Sequence, residues 1–409
     1  KINEDVVVPV SELAGFVEFI DRTAAAHDLS VVSFGHAGNG NLHVNLMVHP
    51  DDAGEMERAR VALDAIMTRV LALGGDLKNT FALVRDGQAV LSQHIGDLHD
   101  AACLADQRRA LDDYLAFYDF EPEWVACDLH PGYAATQLAH ARWGERCVGI
   151  GHHHAHIAAC LGEHGCPLDG GRVLGIALDG IGMGEDGMLW GGEFLLADYR
   201  HAERVATFKP VALLGGDQAA REPWRNTYAH LMAALGWPRL AGEFGELELV
   251  HFLAAKPRKL LDAMLVNPRL APRASSVGRL FDAVAAAVGL CRERTAFEGE
   301  AAIRLESLVT GQDLAESLGR DYPFAIARPG QGLPYIEPQP LWLALLGDLL
   351  GHTPAPCIAA RFHRGLAAVV VRMARQLAAQ HGLDTVALGG GVFQNRVLTE
   401  LVLQGLATA

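Results

Sequence analysis

Two apolar stretches that run into glycine constrain this chain more than any other feature. One is VLGIALDGIGMG, residues 173–184; the other is TVALGGGVFQN, residues 385–395. An amphipathic helix, RGLAAVVVRMARQLAAQHG, feeds the second. Strands that alternate with helices and turn at glycine build α/β folds, and their C-terminal ends are where such folds hold phosphates. Asp179 stands at the tip of the first strand, where it is either an ordinary Asp-Gly turn residue or the group that meets a metal or nucleotide. The backbone N–H groups of Gly389, Gly390 and Gly391 either cradle a phosphate or simply close a tight turn.

A third feature sits upstream. GIGHHHAHIAACLG, residues 149–162, places four histidines in five positions ahead of an apolar run that reads as a helix. Side chains at i and i+4 stand on one helical face. His152 and His156 therefore converge on one object, with His153 and His156 as the i,i+3 alternative. Two imidazoles on one face make half of a transition-metal site. The glutamate that a zincin carries between its two histidines is absent, which argues against a metalloprotease. The plainer account is a helix N-terminus whose rings cap backbone groups or face water. A metal needs a third ligand from elsewhere, and Asp179 is the candidate.

Composition narrows the classes. The 409 residues suit two or three domains. A net charge of −15 argues against nucleic acid or an anionic membrane as partner, since both reward clustered Lys and Arg. The longest apolar run, LWLALLGDLLG, is too short to span a bilayer and is broken by Asp348. Seven scattered cysteines without a C-x-x-C fit reduced thiols in a cytoplasmic setting. The sequence opens at Lys1 with no signal-peptide pattern.

Along the chain, residues 11–27 read as an amphipathic helix capped by Ser11, with Leu13, Phe16, Val17 and Ile20 on one face. VVSFG and LHVNLMV read as strands around the loop HAGNGN. A second helix spans 53–72, ending at Gly74 and Gly75. Helix, strand, strand, helix makes a small α+β sandwich. Beyond it come a hairpin with an Asp-Gly turn, TFALV-RDG-QAVLSQ, a helix, the strand WVACDL, and two strands joined around GEDG. Long helices are expected after these.

Eight segments, in order, carry a resemblance: GGDLKNTFALVRDG, SQHIGDL, CDLHPGY, GHHHAHIAAC, LDGIGMGEDGMLWGGEF, LLGGDQAAREPWR, SSVGRLFDAVAAAVGLC and LGGGVFQNRVL. Over residues 74–409 the chain resembles the carbamoyltransferase module of the HypF hydrogenase-maturation family. The resemblance implies an α/β fold of the actin-like, Kae1-like type, with two lobes around a nucleotide cleft. It implies a first lobe over 76–168 and a second over 169–409. It implies His152, His156 and Asp179 as ligands of one divalent metal, which these donors allow to be iron or zinc. It places the nucleotide at Gly278 and Asp282, with Asp282 on the ribose, and at Gly389, Gly390, Gly391 and Asn395 around the phosphate. His153 and His154 orient the ligands or fill space. The implied reaction passes a carbamoyl group from ATP-derived carbamoyl adenylate to the C-terminal Cys of the partner HypE, towards a cyanide ligand. No nucleophile of this chain is required, and an adenylate-forming domain is expected on another polypeptide. The family's pattern continues past LGGGVFQNRVL to a further aspartate ligand, so the chain as given is expected to be a poor transferase.

Residues 1–75 resemble a different family, the C-terminal domain of FAD-linked oxidases of the glycolate oxidase and D-lactate dehydrogenase type. That resemblance implies a remnant metal pair at His36 and His43, with Asn39 where the family has Asp. The expected whole is a chimera with its seam near Leu71–Phe81. Two other readings stand beside transfer: a fragment of an FAD-linked 2-hydroxy-acid oxidase, and a non-catalytic remnant that binds metal or nucleotide.

Overall fold

The structure, a computed structural model, describes residues 2–7, 13–36, 41–85 and 87–407, with the side chains at 2–7, 13, 34–36, 41–43 and 63–67 outside that description. The chain divides into two compact units, Lys1–Ile150 and Gly151–Ala409. In the second unit Ile157 and Leu161 of the histidine-rich segment pack on Val173, Ala177 and Leu195.

In the first unit, helix Leu13–Ala26 buries Phe16, Ile20 and Ala24 at the i, i+4, i+8 spacing of one face. Its expected cap, Ser11, lies outside the described residues. Strands Ser30–His36 and Asn41–Met47 pair antiparallel, and Ile2–Val7 adds to the free side of Asn41–Met47. The second helix, Ala53–Met67, stops short of the expected residue 72. Val70–Leu73 is a strand instead. It lies between Phe81–Arg85, antiparallel, and Trp124–Asp128, parallel, with Leu71 and Leu73 buried. Two backbone ladders and a buried alternate row outweigh the helix preference of Leu and Ala, which is only a few tenths of a kcal/mol per residue, roughly.

That strand is the middle of a five-stranded sheet ordered Gln88–Leu91, Phe81–Arg85, Val70–Leu73, Trp124–Asp128, Cys147–Ile150. The hairpin forms where expected, with Gly87 at φ 71°. Asp76 is buried and accepts the N–H groups of Ala134 (2.9 Å) and Ala135 (3.2 Å), closing the first turn of helix Ala134–Trp143. Asn79 donates to the carbonyls of Gly74 and Gly75. Two residues of one family-like motif, GGDLKNTFALVRDG, are thus spent on structure.

The second unit is built on a larger sheet. Val386–Gly389 runs parallel to Val173–Met183, which pairs antiparallel with Leu189–Ala197. Ala202–Phe208, Tyr335–Glu337 and Ala325–Ala327 follow outward, while Arg273–Ala274 and Val211–Ala212 attach at Leu189. One face carries the main core, where Leu174, Ile176, Leu178 and Phe194 meet Phe281, Phe362, Val370 and Trp342. The helices from Gln218 to Glu316 are short, at most 11 residues, not the long ones expected; Gly236, Pro257 and Gly299 stand at their starts. The long helix is Ala355–His381, with 27 residues, which ends at Gly382 in the left-handed conformation.

Candidate metal and nucleotide site

The strand Val173–Met183 places Asp179 by simple parity. Successive side chains point to opposite faces. Leu174, Ile176 and Leu178 enter the main core, while Val173 and Ala177 enter a smaller cluster with Ile157 and Leu161. Gly175 lies so close to the helix that a Cβ there would come within 2.7 Å of Ile157. Asp179 continues the odd row and faces the histidine helix, His152–Glu163. On that helix His153, Ile157 and Leu161 form the row buried against the sheet. His152 and His156 form the adjacent row, at the strand's C-terminal end.

The three expected ligands meet. His152 Nε2 lies 3.1 Å and His156 Nε2 3.4 Å from Asp179 Oδ2, and the ligand atoms all fall within 4.8 Å of one another. The rings of His152 and His156 are edge to face, 4.9 Å apart. Burial pushes the Asp179 carboxyl up, but the two histidines outweigh it and hold the group well below the usual carboxylate range. A deprotonated carboxylate beside two imidazole nitrogens is a donor set that fits a divalent iron or zinc ion with an open position. Among the described residues this is the one such cluster. His154 is turned away, its Nε2 donating to the Asp198 carbonyl at 2.7 Å. His153 is buried, with its ring 5.9 Å from that of Trp190. The loop 37–40 and the side chains of His36 and His43 lie outside the described residues.

The glycine loop joins the same site. Gly390, at φ 93°, lies where a Cβ would stand 2.3 Å from the Leu178 carbonyl oxygen. Gly389 backs onto His156, and the Gly391 N–H donates to Asp179 Oδ1 at 3.0 Å. Asp179 thus has one oxygen towards the histidines and the other on the loop. Asn395 is committed locally: its Oδ1 accepts the Leu398 N–H at 2.8 Å, and its Nδ2 meets His363 Nε2 at 3.0 Å.

Gly278 and Asp282 lie one turn apart on helix Val277–Ala287. A Cβ on Gly278 would come within 2.9 Å of Gly180 Cα, so the first turn of this helix rests on the residue after Asp179. Asp282 is buried, with Oδ2 3.1 Å from Arg279 Nη2. Burial pushes its carboxyl up to about 6, against the pull of Arg279. Sequence reasoning passed over two neighbours, Glu193 and Ser276. Glu193 had a signal, a charge inside the apolar strand Leu189–Ala197; Ser276 had the N-cap pattern of a polar residue before an apolar helix.

Comparisons with known proteins agree with the two parts of the chain. Residues 175–409 match the model for the Carbamoyltransferase, Kae1-like Domain, second subdomain, and residues 66–163 the model for the HypF Kae1-like domain. Residues 1–99 match the model for the C-terminal domain of FAD linked oxidases. Carbamoyltransferase HypF of Rhodobacter capsulatus is 41% identical over 83% of this chain and 43% of its own length. A carbamoyltransferase HypF homolog of Cupriavidus necator is 37% identical over 83% of this chain and 84% of its own. The chain therefore spans under half of the full-length relative and most of the shorter one. Glycolate oxidase subunit GlcD of Bacillus subtilis is 42% identical over 76 residues, 19% of this chain and 16% of that protein. The crystal structure of full-length HypF in its phosphate- and nucleotide-bound form superposes with a TM-score of 0.74 at 30% identity, covering 84% of this chain and 51% of that one.

Proposed function

Because the chain belongs to the HypF carbamoyltransferase family through its Kae1-like domain, we propose that it binds carbamoyl adenylate beside a divalent metal and passes the carbamoyl group to a cysteine thiolate at the C-terminus of a HypE-type partner. The observation that carries this reading is the Gly391 N–H on Asp179, which puts the metal donors and the phosphate-type loop at one place. A relative crystallised with phosphate and nucleotide supports the same ligand class. Asp282 would accept the ribose hydroxyls, and Gly389 and Gly390 give the phosphate close approach to the backbone. His152, His156 and Asp179 would hold the metal. When bound, it supplies Lewis-acid polarisation of carbamoyl or phosphate oxygens.

The incoming thiolate forms a C–S bond to the carbamoyl carbon, the C–O bond to phosphate breaks, and AMP leaves with that electron pair. Four of this chain's own thiols are poor rivals for the carbamoyl group: burial pushes Cys127 up to about 11 and raises Cys147, Cys160 and Cys291. Holding the carbamoyl carbon so that its face meets the entering sulfur is then the protein's main contribution.

The test supplies pre-formed carbamoyl adenylate and a synthetic peptide carrying the HypE C-terminus to the metal-loaded chain, and weighs the peptide by mass spectrometry. The expected product is the carbamoylated cysteine, lost in Asp179→Ala. Consumption of the adenylate with no label on the peptide, in both proteins alike, contradicts the proposal.

A further inference from the structure

The ladder between strands Val173–Met183 and Leu189–Ala197 is broken at the metal ligand. Leu178 pairs with Gly192 and Gly182 with Trp190, so Asp179, Gly180 and Ile181 stand opposite the single residue Gly191. Such a bulge re-aims a side chain, and it leaves backbone groups without their strand partner. The carbonyls of Asp179 and Gly180 both turn to one hydroxyl, that of Ser276, which donates to them. Gly191 leaves room for this: a Cβ there would stand 2.9 Å from both the Asp179 oxygen and Ser276 Cα.

Ser276 has a second task. Its Oγ accepts the Arg279 N–H at 3.0 Å and so caps the helix that carries Gly278 and Asp282. It is itself held in place. The neighbouring Ser275 hydroxyl donates to Oε1 of Glu193, a carboxylate with no exposure to solvent whose Oε2 lies 3.6 Å from Arg204 Nη1. Arg204 in turn pairs with Asp186 at 2.7 Å and stacks over Trp190 at 4.3 Å. The Ser275 hydrogen bond thus ties the Ser275–Ser276 backbone to the strand Leu189–Ala197.

We propose that Ser276, anchored through Ser275 to Glu193, is a positioning residue that sets the metal-ligand bulge and the nucleotide helix together. Its hydroxyl is bonded to backbone groups of Asp179, Gly180 and Arg279. One hydroxyl orients the backbone of Asp179 on one side and the first turn leading to Asp282 on the other. Its removal lowers the affinity for two chemically different ligands at once, each measured without the other. The inference rests on the functional reading above.

The experiment titrates the full chain with Co(II) alone and, separately, with AMP alone. In Ser276→Ala both affinities are expected to fall about 10- to 100-fold, the usual effect of removing a group that orients a metal ligand. Ser276→Thr, which keeps the hydroxyl, restores both. Thr227→Ala is the control for destabilisation: the buried Thr227 hydroxyl bonds the Ala283 carbonyl on the same helix, away from the bulge, and its loss should leave both affinities within about twofold. If Ser276→Ala does not fold, Ser276→Gly carries the same test, since glycine is tolerated at an N-cap. Wild-type affinities in the variant without the hydroxyl overturn the clamp, as does an equal loss in Thr227→Ala. A wild-type chain that binds neither Co(II) nor AMP removes the functional reading itself.

Discussion

His154 separates a metal centre from a histidine-rich helix with no ligand. It lies between the two proposed ligands in sequence, yet its Nε2 is spent on the Asp198 carbonyl. His152→Ala or His156→Ala is expected to abolish bound metal in the purified chain, while His154→Ala retains it, as read by elemental analysis. Loss in His154→Ala alone would overturn the assignment. The i,i+4 rule made this pair legible before any coordinates, because it needs only helical geometry. Asp282 was reached through family likeness alone. No spacing rule reports that a carboxyl at the second turn of an apolar helix is buried with its charge only partly compensated. Its raised value gives a pH prediction. Between the ordinary carboxylate value of 3.8 and about 6 the folded chain holds the proton that the unfolded chain has lost. Ionising Asp282 therefore costs stability as pH rises through that window, and the cost is complete above about 6. A ligand whose hydroxyls donate to the carboxylate favours the ionised form. Adenosine, which has no titrating phosphate, should bind more tightly as pH rises through about 6 and level off above it, whereas Asp282→Asn should show no such rise. A parallel slope in both proteins would separate Asp282 from the ribose.

Among the elements, the glycine loop after Val386–Gly389 is the least forgiving. Gly390 combines a positive φ with a carbonyl oxygen 2.3 Å from where a Cβ would sit. Gly390→Ala is expected to cost roughly 1–3 kcal/mol through backbone strain, with more where Leu178 must move. Urea unfolding measures it, and wild-type stability would mean that the loop is not pinned against the central strand. The strand–glycine–helix pattern was readable because glycine is the residue that meets such a demand. The strand Val70–Leu73 was not readable. Its four residues, VLAL, continue an apolar helical pattern, and only partners far along the chain, at Phe81–Arg85 and Trp124–Asp128, reveal it as a strand. The bulge at Asp179 was hidden for the same reason. Register is a property of two strands, and one sequence stretch does not state it.

On the scale of the whole molecule, the chain matches two families in different parts of its length. The two family matches overlap over residues 66–99, and the strand Val70–Leu73 at that junction is a full member of the five-stranded sheet. If the joined chain is the protein made in the cell, a native digest contains peptides that span Leu71–Phe81. Recovery of only the two separate parents would show that it is not. The larger claim is that metal and nucleotide share one site in the unit Gly151–Ala409, with Asp179 between them. Paramagnetic relaxation tests this most directly: the chain is loaded with Co(II) or with diamagnetic Zn(II), and the phosphorus relaxation of bound AMP is recorded. The account predicts strong enhancement with Co(II), none with Zn(II), and loss of the enhancement in Asp179→Ala. AMP that binds saturably, with its phosphorus relaxing equally under both metals, would contradict it.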